Sequence, residues 1–338
     1  MNVCFFCRID DVSALTRVGF YADDIRILRD LGHNVTIATK YGEIPANTDL
    51  IYAWWWTWAF LPLLKSRLRR IPIVICGVFD YATPPRGHRM CYLDRPWWQK
   101  LLLQLGLRFA DANIFISDYE YQQITSLFPV RNPKLIPCAV DSQTHHPDFE
   151  KPKGNFFFNV AWSGGYNMYR KCLKEIIQGF IEAAQHDSTV TLEMAGKQGE
   201  YHIELAEIAS RSNVADRIRF LGPISQEEKI RKMQTCFAYV QPTRFEGFGL
   251  AIAEAVACGA TVITSSNSAV TEVVGDCGIF ADPEDPKDIA RAMTSPRLRS
   301  PDVVELRRKG VERMRTLFNY EKRRDAIDAV LQEVCNDL

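Results

Sequence analysis

The stretch PTRFEGFGLAIAEAVACGATVI, residues 242–263, decides the fold because its glycines and apolar runs divide it into a loop, a helix and a strand. Glycine is a poor helix former, so Gly247 and Gly249 place the first glutamate, Glu246, on a loop. A helix is predicted over residues 250–258, with a glycine just past its end. The flanking apolar runs predict buried strands, so this loop lies at a strand's carboxyl end, where parallel sheets bind ligands.

The second glutamate of this stretch, Glu254, is the one charged residue of an otherwise apolar helix, a pattern typical of a buried helix. A buried carboxylate needs a partner, because leaving it unpaired costs several kcal/mol. Two partners are open: an internal lysine or arginine, or the hydroxyl pair of a ribose. The amides of Phe248, Gly249 and Leu250 at the helix start form an anion site nearby, so a nucleotide is the favoured ligand.

Length and composition bound the remaining classes. The chain has 338 residues, which is room for about two domains with separate cores. Its 41 basic and 41 acidic residues balance, so nothing in the bulk charge favours nucleic acid as a partner. Ten cysteines without regular spacing indicate a reducing compartment, and the N-terminus lacks the pattern of a signal peptide. We therefore expect a cytoplasmic protein.

Short apolar runs alternate with helical stretches along the chain, which is the pattern of parallel α/β sheets. The run HHPDFEKPKGN, residues 145–155, interrupts this alternation with proline, glycine and charge, which is typical of a linker. We expect two Rossmann-like doubly wound domains facing a central cleft, over residues 1–148 and 149–319. A final amphipathic helix covers about 320–338; its target face is open, with the first domain as one candidate.

The segment IYAWWWTWAFLPLLKSRLRR, residues 51–70, combines aromatic, apolar and basic side chains. Its apolar run of about fourteen residues is shorter than the roughly twenty needed to span a bilayer. One interpretation is a helix packed on the sheet with its basic end in water. The other is a peripheral contact of residues 54–70 with an anionic membrane surface at the inner face of the membrane.

The opening stretch resembles the E-x7-E signature of the large retaining glycosyltransferase family with the two-domain GT-B fold, glycosyltransferase family four, group 1 type. The likeness covers nearly the whole chain: LGHNVTIAT resembles the family's second strand, RFADANIFIS and KLIPCAVDSQTHHP its first-domain ending, and LEMAGK, IRFLGPIS and TEVVGDCGIFADPED its donor domain. The resemblance implies transfer of a sugar from a UDP- or GDP-linked donor to a glycan or lipid-linked acceptor, as in polysaccharide biosynthesis, with retained anomeric configuration.

The resemblance also implies roles for residues of the second domain. Glu246 matches the glutamate beside the donor sugar, and Glu254 would hold the ribose hydroxyls. Lys171 resembles the lysine beside the diphosphate, with Arg170 or Lys197 as helper. The other donor-side candidates are Gly19, Gly196, Phe248, Gly249, Leu250 and Glu272. A fixed cation and helix-start amides stabilise the leaving charge, so no metal or other cofactor is expected.

The chain departs from the family pattern at several positions. Only Gly19 stands where the family commonly has a glycine pair, and Ser268 and Ala269 replace the second pair ahead of Glu272. The arginine usual ahead of the lysine is missing.

The active-site histidine of many members is replaced as well, since CGVFDY has Phe79 before Asp80. Asp80 is the candidate for the acceptor-side or sugar-hydroxyl role and His88 the second candidate, with a structural role as the alternative for each. Trp54 and Trp55 lie where the first domain would meet an acceptor. Two other functions stay open: a non-catalytic sugar-nucleotide-binding partner subunit of a glycosyltransferase complex, which the missing histidine motivates, and a nucleotide-sugar epimerase sharing the fold.

Overall fold

The computed structural model describes residues 1–83 and 91–336, and the chain divides into two compact units. Unit 1 holds residues 1–82, 91–139 and 318–336, and unit 2 holds Thr83 and Val140–Leu317. Within the described residues each unit is built on one six-stranded sheet whose paired strands run parallel. The predicted doubly wound α/β class is thereby confirmed.

Unit 1 is a parallel sheet with helices in the crossover connections. Its strands are β1 (Asn2–Cys7), β2 (Asn34–Ala38), β3 (Leu50–Trp54), β4 (Ile73–Gly77), β5 (Ala112–Phe115) and β6 (Pro133–Leu135). Its first helices are α1 (Ala14–Arg17), α2 (Gly19–Asp30), α3 (Phe60–Arg69), α4 (Trp97–Phe109) and α5 (Asp118–Leu127), with 3₁₀ turns at Tyr41–Glu43 and Tyr92–Asp94. The strand order is β2-β1-β3-β4-β5-β6. Every residue of β3 and β4 is buried, which explains their continuous apolar runs.

Unit 2 repeats this plan. Its strands are β7 (Phe156–Val160), β8 (Thr191–Ala195), β9 (Ile218–Gly222), β10 (Ala238–Gln241), β11 (Val262–Thr264) and β12 (Gly278–Phe280), in the order β12-β11-β10-β7-β8-β9. Its helices are α6 (Asn167–Arg170), α7 (Leu173–Ala183), α8 (His202–Ser210), α9 (Gln226–Thr235), α10 (Leu250–Ala257), α11 (Val270–Val274), α12 (Pro286–Met293) and α13 (Val303–Leu317), with 3₁₀ turns at Ala215–Arg217 and Pro296–Arg299.

Helix α7 shows how the core of unit 2 fixes the elements near its ligand edge. Leu173, Ile176, Ile177 and Phe180 recur at helical spacing and are all buried in the core. The ring of Phe180 packs edge-on against Phe157 of β7. Because this face is held against the sheet, the residues that immediately precede α7 have a fixed position at the strand ends.

The last helix, α14 (Tyr320–Asn336), belongs to unit 1, where a buried ion pair holds it. Arg323 Nε donates to Asp24 Oδ1 at 2.7 Å and its Nη2 donates to Oδ2 at 3.0 Å. Tyr52 Oη and Trp54 Nε1 donate to the same Oδ2, at 2.9 and 3.1 Å. The carboxylate on α2 is therefore fully hydrogen-bonded, which is the condition under which a buried charge pair is tolerated.

Within the described ranges, none of the helices combines the length and the hydropathy needed to cross a bilayer.

Candidate functional site

The first candidate, Glu246, lies on the loop between β10 and α10, at the carboxyl edge of the unit 2 sheet. Gly249 precedes α10 with a φ of +90°, a conformation that any other residue adopts only with strain. The loop is tied to the end of α6, because Thr243 Oγ1 and the Arg244 amide donate to the Arg170 carbonyl at 2.7 and 2.8 Å. The Glu246 amide donates to Ser268 Oγ at 3.0 Å. These bonds bring the glutamate to the residues just before α7.

Glu246 is buried against two cations. Its Oε2 lies 2.7 Å from Arg170 Nη1, and its Oε1 lies 3.6 Å from Lys171 Nζ. Gln241 Nε2 also donates to Oε1, at 3.1 Å. Two positive side chains against one carboxylate leave a net positive charge at this point of the unit. The start of α10 adds N–H groups without acceptors inside the helix, so the surroundings of Glu246 favour an anion.

The charges of this cluster shift the pKa values of its members. Burial by itself raises the pKa of Glu246, but the adjacent charges of Arg170 and Lys171 outweigh burial and hold this pKa below its usual value of 4.5. Burial lowers the pKa of Lys171 from 10.5, and the Arg170 charge adds to this effect while Glu246 opposes it. At neutral pH the cluster is therefore a carboxylate between two cations, and Lys171 holds its proton less tightly than a lysine in water.

Arg244 fixes the geometry of this loop. Its Nη2 lies 2.9 Å from Glu175 Oε1 on α7, and its Nε lies 2.7 Å from Glu284 Oε1. Arg170 in turn donates from Nη1 to the Phe245 carbonyl at 2.9 Å. The loop and the helix pair α6–α7 are thus joined by several charge-assisted bonds, which are stronger than neutral ones.

Glu254 on α10 pairs with an internal lysine, one of the two kinds of partner expected from the sequence. Its Oε2 accepts a hydrogen bond from Lys229 Nζ of α9 at 2.7 Å. Its Oε1 lies 3.6 Å from His145 Nε2, which is 2.9 Å from Gln226 Nε2. Burial lowers the pKa of His145 from 6.5 although Glu254 opposes this, so His145 is neutral at pH 7. The ion pair with Lys229 therefore explains how the buried carboxylate of Glu254 is tolerated. Its other oxygen, Oε1, is not bound to the lysine.

The other donor-side candidates of unit 2 differ in their surroundings. Gly196 has a φ of +130°, and a Cβ there would lie 2.1 Å from the Ala161 carbonyl oxygen, so close packing requires the glycine. Lys197 is exposed, and within the described residues its side chain makes no ion pair with Glu246 or Glu254. Glu272 lies half-exposed on α11. Phe248 is buried and Leu250 half-buried at the start of α10.

The remaining candidates lie in unit 1. Gly19 is the first residue of α2. Asp80 is buried and its Oδ1 accepts a hydrogen bond from the Ala82 amide at 3.1 Å, the geometry of a turn residue. Trp55 is half-buried beside a cavity. His88 lies outside the described residues.

Trp54 requires a correction. Its side chain is 0% exposed and its indole N–H binds Asp24, so it packs in the core of unit 1 and has no surface for an acceptor. The neighbouring Trp55 is half-buried and lines a pocket.

Sequence reasoning did not single out four residues of the site: His145, Lys229, Gln241 and Arg244. Lys229 is 25 positions from Glu254, and no local pattern connects the two. Arg244 stands two residues before Glu246 in the stretch 242–263. Its position as a cation beside a predicted ligand loop is the signal that could have identified it.

Across residues 1–83 and 91–336, no group of three or more His, Cys, Asp or Glu side chains is arranged to hold a metal ion.

Comparison with known proteins relates unit 2 to a family. Residues 158–295, which include Arg170, Lys171, Glu246 and Glu254, match the family model described as Glycosyl transferases group 1. The O-antigen chain mannosyltransferase B of Escherichia coli is 29% identical over 233 residues, covering 66% of this chain and 60% of that protein. The GDP-mannose-dependent alpha-(1-6)-phosphatidylinositol monomannoside mannosyltransferase of Mycobacterium tuberculosis is 23% identical over 257 residues, covering 71% and 64%. The chain thus spans less than two thirds of the length of each of these relatives.

The fold has close structural counterparts. The crystal structure of Anabaena HepE in complex with UDP and glucose superposes with a TM-score of 0.76 at 16% identity, covering 98% of this chain and 100% of that one. At this identity the likeness concerns the fold, which is GT-B. The likeness of the whole chain is thus one of fold, and the match to the glycosyl transferases group 1 model covers residues 158–295.

Proposed function

We propose that the protein is a retaining, metal-independent glycosyltransferase that moves a sugar from a nucleoside diphosphate sugar to a glycan or lipid-linked acceptor. The observation that carries the proposal is the Glu246 carboxylate held between Arg170 and Lys171 beside the start of α10. This cluster lies inside the segment that matches the glycosyl transferases group 1 model.

The two cations have different availability for a donor diphosphate. Arg170 is bound to Glu246 at 2.7 Å and also donates to Asn167 Oδ1 at 2.9 Å and to the Phe245 carbonyl at 2.9 Å. Lys171 Nζ, at 3.6 Å from Glu246 Oε1, is beyond a normal hydrogen bond and has a buried charge to satisfy. We therefore assign Lys171 to the diphosphate and Arg170 to the support of Glu246.

Lys171 and the α10 amides then stabilise the charge that develops on the leaving diphosphate. Such groups are effective because they are held in place before the reaction and need little reorganisation. In the retaining transfer proposed here, the bond from the sugar's anomeric carbon to the diphosphate breaks and the bond to the acceptor oxygen forms on the same face, and the departing diphosphate takes the proton of the acceptor hydroxyl. In this scheme Glu246 orients the donor sugar, and no metal is needed to neutralise the leaving charge.

Glu254 is assigned to the ribose. Lys229 occupies its Oε2, so Oε1 is the oxygen that would accept hydrogen bonds from the ribose hydroxyls. A neutral His145 beside Oε1 offers no competing charge. UDP is one candidate leaving group, because HepE was crystallised with UDP. GDP is the other, because the M. tuberculosis relative is GDP-mannose-dependent.

The donor assignment is tested by thermal unfolding with UDP, GDP, ADP and CMP, each at about one hundred times its dissociation constant. A ligand that binds only the folded state then adds about 2.7 kcal/mol of stability. We expect one nucleoside diphosphate to stabilise the wild type and to lose most of this effect in Glu254→Gln. As the matched control, Glu193→Gln changes another buried glutamate bound to a lysine, Lys232, and retains the full shift. No shift with any nucleotide in the folded wild type contradicts the proposal.

Binding alone does not separate a transferase from a non-catalytic partner subunit or a nucleotide-sugar epimerase. A partner subunit binds the nucleotide without transfer in any acceptor mixture. An epimerase isomerises the donor sugar without an acceptor. Transfer that depends on Glu246 excludes both.

We also propose a peripheral membrane contact through unit 1. On α3, Leu61, Leu64 and Leu68 share one helical face and are 47%, 44% and 75% exposed. Trp97, Trp98 and Leu101 of α4, which packs against α3, are 75%, 40% and 46% exposed. Exposed Arg69 and Arg70 follow this face. Apolar side chains flanked by basic ones are the composition of an interfacial membrane contact.

Co-sedimentation with vesicles containing anionic lipid tests the membrane contact. Leu68→Glu should reduce vesicle binding, whereas Ile203→Glu, at a site 70% exposed in unit 2, should not. Equal binding of both variants would remove the assignment of this face.

A further inference from the structure

A pocket of about 250 Å³ lies in unit 1 at the carboxyl edge of the sheet. Its lining follows directly after three strands: Arg8 after β1, Trp55 and Trp58 after β3, and Phe79 after β4. Arg95 completes it next to α4. The carboxyl edge of a doubly wound parallel sheet is where such domains bind ligands.

The position of Trp55 in this pocket is conformationally unusual. Its φ is +76°, a region that a bulky residue enters only under strain. The conformation is held by the Trp55 amide, which donates to the Cys76 carbonyl at 2.8 Å, and by its indole N–H, which donates to Tyr21 Oη at 2.6 Å. Strain of this kind clusters at ligand sites, and here it brings a half-buried indole to the wall of an open pocket.

The charged lining of the pocket is cationic. Arg8 is exposed and lies over the Trp58 ring with its Cζ 4.4 Å from the ring centroid. Within the described part of the chain, Arg8 has no carboxylate partner. Arg95 donates to Thr57 Oγ1 at 3.1 Å and also interacts with the charge of Asp80. Arg8 is therefore the guanidinium that we assign to an anionic group of a ligand. Among the residues that the structure describes, the lining includes no aspartate or glutamate.

Aromatic walls and a guanidinium together select a particular chemistry. Indole faces pack against flat apolar faces of a ring, and a guanidinium binds phosphate or carboxylate through paired hydrogen bonds. At about 250 Å³ the pocket is smaller than those that enclose drug-sized ligands, so it suits one ring with its charged substituent.

We propose that this pocket is the acceptor subsite and that it takes a sugar or polyol ring carrying a phosphate or carboxylate. The assignment rests on the proposed transferase function, because it names the acceptor class of that reaction. The phosphate has two sources, a free sugar phosphate or a lipid headgroup. The second is structurally accessible, because the Trp58 ring lies 6.3 Å from that of Trp98 on the exposed apolar face of α4.

The test is ligand-observed NMR on the full chain, with the nucleoside diphosphate selected by thermal unfolding present throughout so that sugar phosphates do not report on the Glu246 cluster. The probes are glucose 6-phosphate, glucuronate and methyl α-glucoside. We expect the two anions to bind and Arg8→Gln to weaken them at least about tenfold, since a bond to a charged group contributes more than one tenfold step. Arg108→Gln, which alters an exposed arginine over Phe109 in the same unit, should have no effect.

Vesicles containing phosphatidylinositol, compared with inositol 1-phosphate in solution, distinguish the two sources. If only the vesicles bind, and their binding depends on Arg8, the ligand is a lipid headgroup. If inositol 1-phosphate binds in an Arg8-dependent way, with or without vesicle binding, a free sugar or polyol phosphate is sufficient. Equal binding of methyl α-glucoside, no binding of either anion, or an unchanged affinity in Arg8→Gln overturns the proposal. Arg8→Lys, which keeps the charge, checks that a loss in Arg8→Gln is not a folding defect. Failure of the selected nucleoside diphosphate to bind in the same samples counts against the donor assignment. The pocket result stays readable through its dependence on Arg8, because Arg8 lies in unit 1 and the Glu246 cluster in unit 2.

Discussion

Replacing Lys171 should leave stability nearly unchanged and lower turnover, whereas replacing Arg170 should lower stability, although both residues face Glu246. Lys171→Met removes a buried charge whose nitrogen is 3.6 Å from the carboxylate, while the 2.7 Å pair of Arg170 with Glu246 stays in place. Because a weakly bonded buried charge contributes little net stability, we expect a change in the free energy of unfolding within about 1 kcal/mol. Arg170→Met removes the close pair and the bonds to Asn167 and Phe245. The carboxylate is then poorly compensated, so the loss should be about 3–5 kcal/mol.

Turnover, in contrast to stability, should depend chiefly on Lys171. If Lys171 meets the diphosphate, Lys171→Met removes one preorganised cation and lowers kcat by about 10²–10³, the effect typical of losing one such group. Stability is measured by urea unfolding and activity by donor turnover, on the same preparations. Lys174→Met, three residues further on at α7, is the control and should leave both quantities unchanged. A stable Lys171→Met protein that retains wild-type turnover would refute this assignment.

Three further predictions concern the supporting structure. Asp24→Leu should lower the free energy of unfolding by about 3–5 kcal/mol because Arg323 is left buried without its carboxylate. Adding Arg323→Met should restore much of this loss. Urea unfolding of the single and double variants measures the coupling between the two residues, and additive losses would contradict the prediction. Gly196→Ala should destabilise unit 2 because its Cβ would lie 2.1 Å from the Ala161 carbonyl oxygen, and an unchanged melting temperature would be the contrary result. Because burial lowers the pKa of His145, the folded protein favours the neutral imidazole; this contribution to stability is present above pH 6.5 and is lost as the pH falls below that value. His145→Gln should therefore flatten the dependence of the unfolding free energy on pH below 6.5, and an unchanged slope would exclude this cause.

The fold and the position of the first glutamate could be predicted because both follow from local patterns. Buried parallel strands such as β3 and β4 appear as apolar runs, and glycines beside Glu246 exclude a helix at that point. The helix after the loop was predicted over 250–258 and is Leu250–Ala257 in the structure.

Partners contributed by other elements could not be predicted. Lys229 reaches Glu254 from α9, and Arg323 reaches Asp24 over 299 positions, so neither pair leaves a periodic signal. The tryptophan run shows the same limit. Trp54 and Trp56 are buried with their indole nitrogens bound to Asp24 and Asn113, while Trp55 between them borders a pocket. Three identical side chains in sequence carry no information about which neighbour each will find.

The measurement that tests the central claim most directly is sugar transfer by the wild type and by Glu246→Gln, followed by NMR of the product's anomeric proton. The donor is a sugar conjugate of the nucleoside diphosphate selected by thermal unfolding, and Glu193→Gln serves as the control for a buried glutamate outside the cluster. We predict a product with the donor's anomeric configuration, formed by the wild type and the control and nearly abolished in Glu246→Gln. Unchanged transfer in Glu246→Gln, or a product of inverted configuration, would contradict the account.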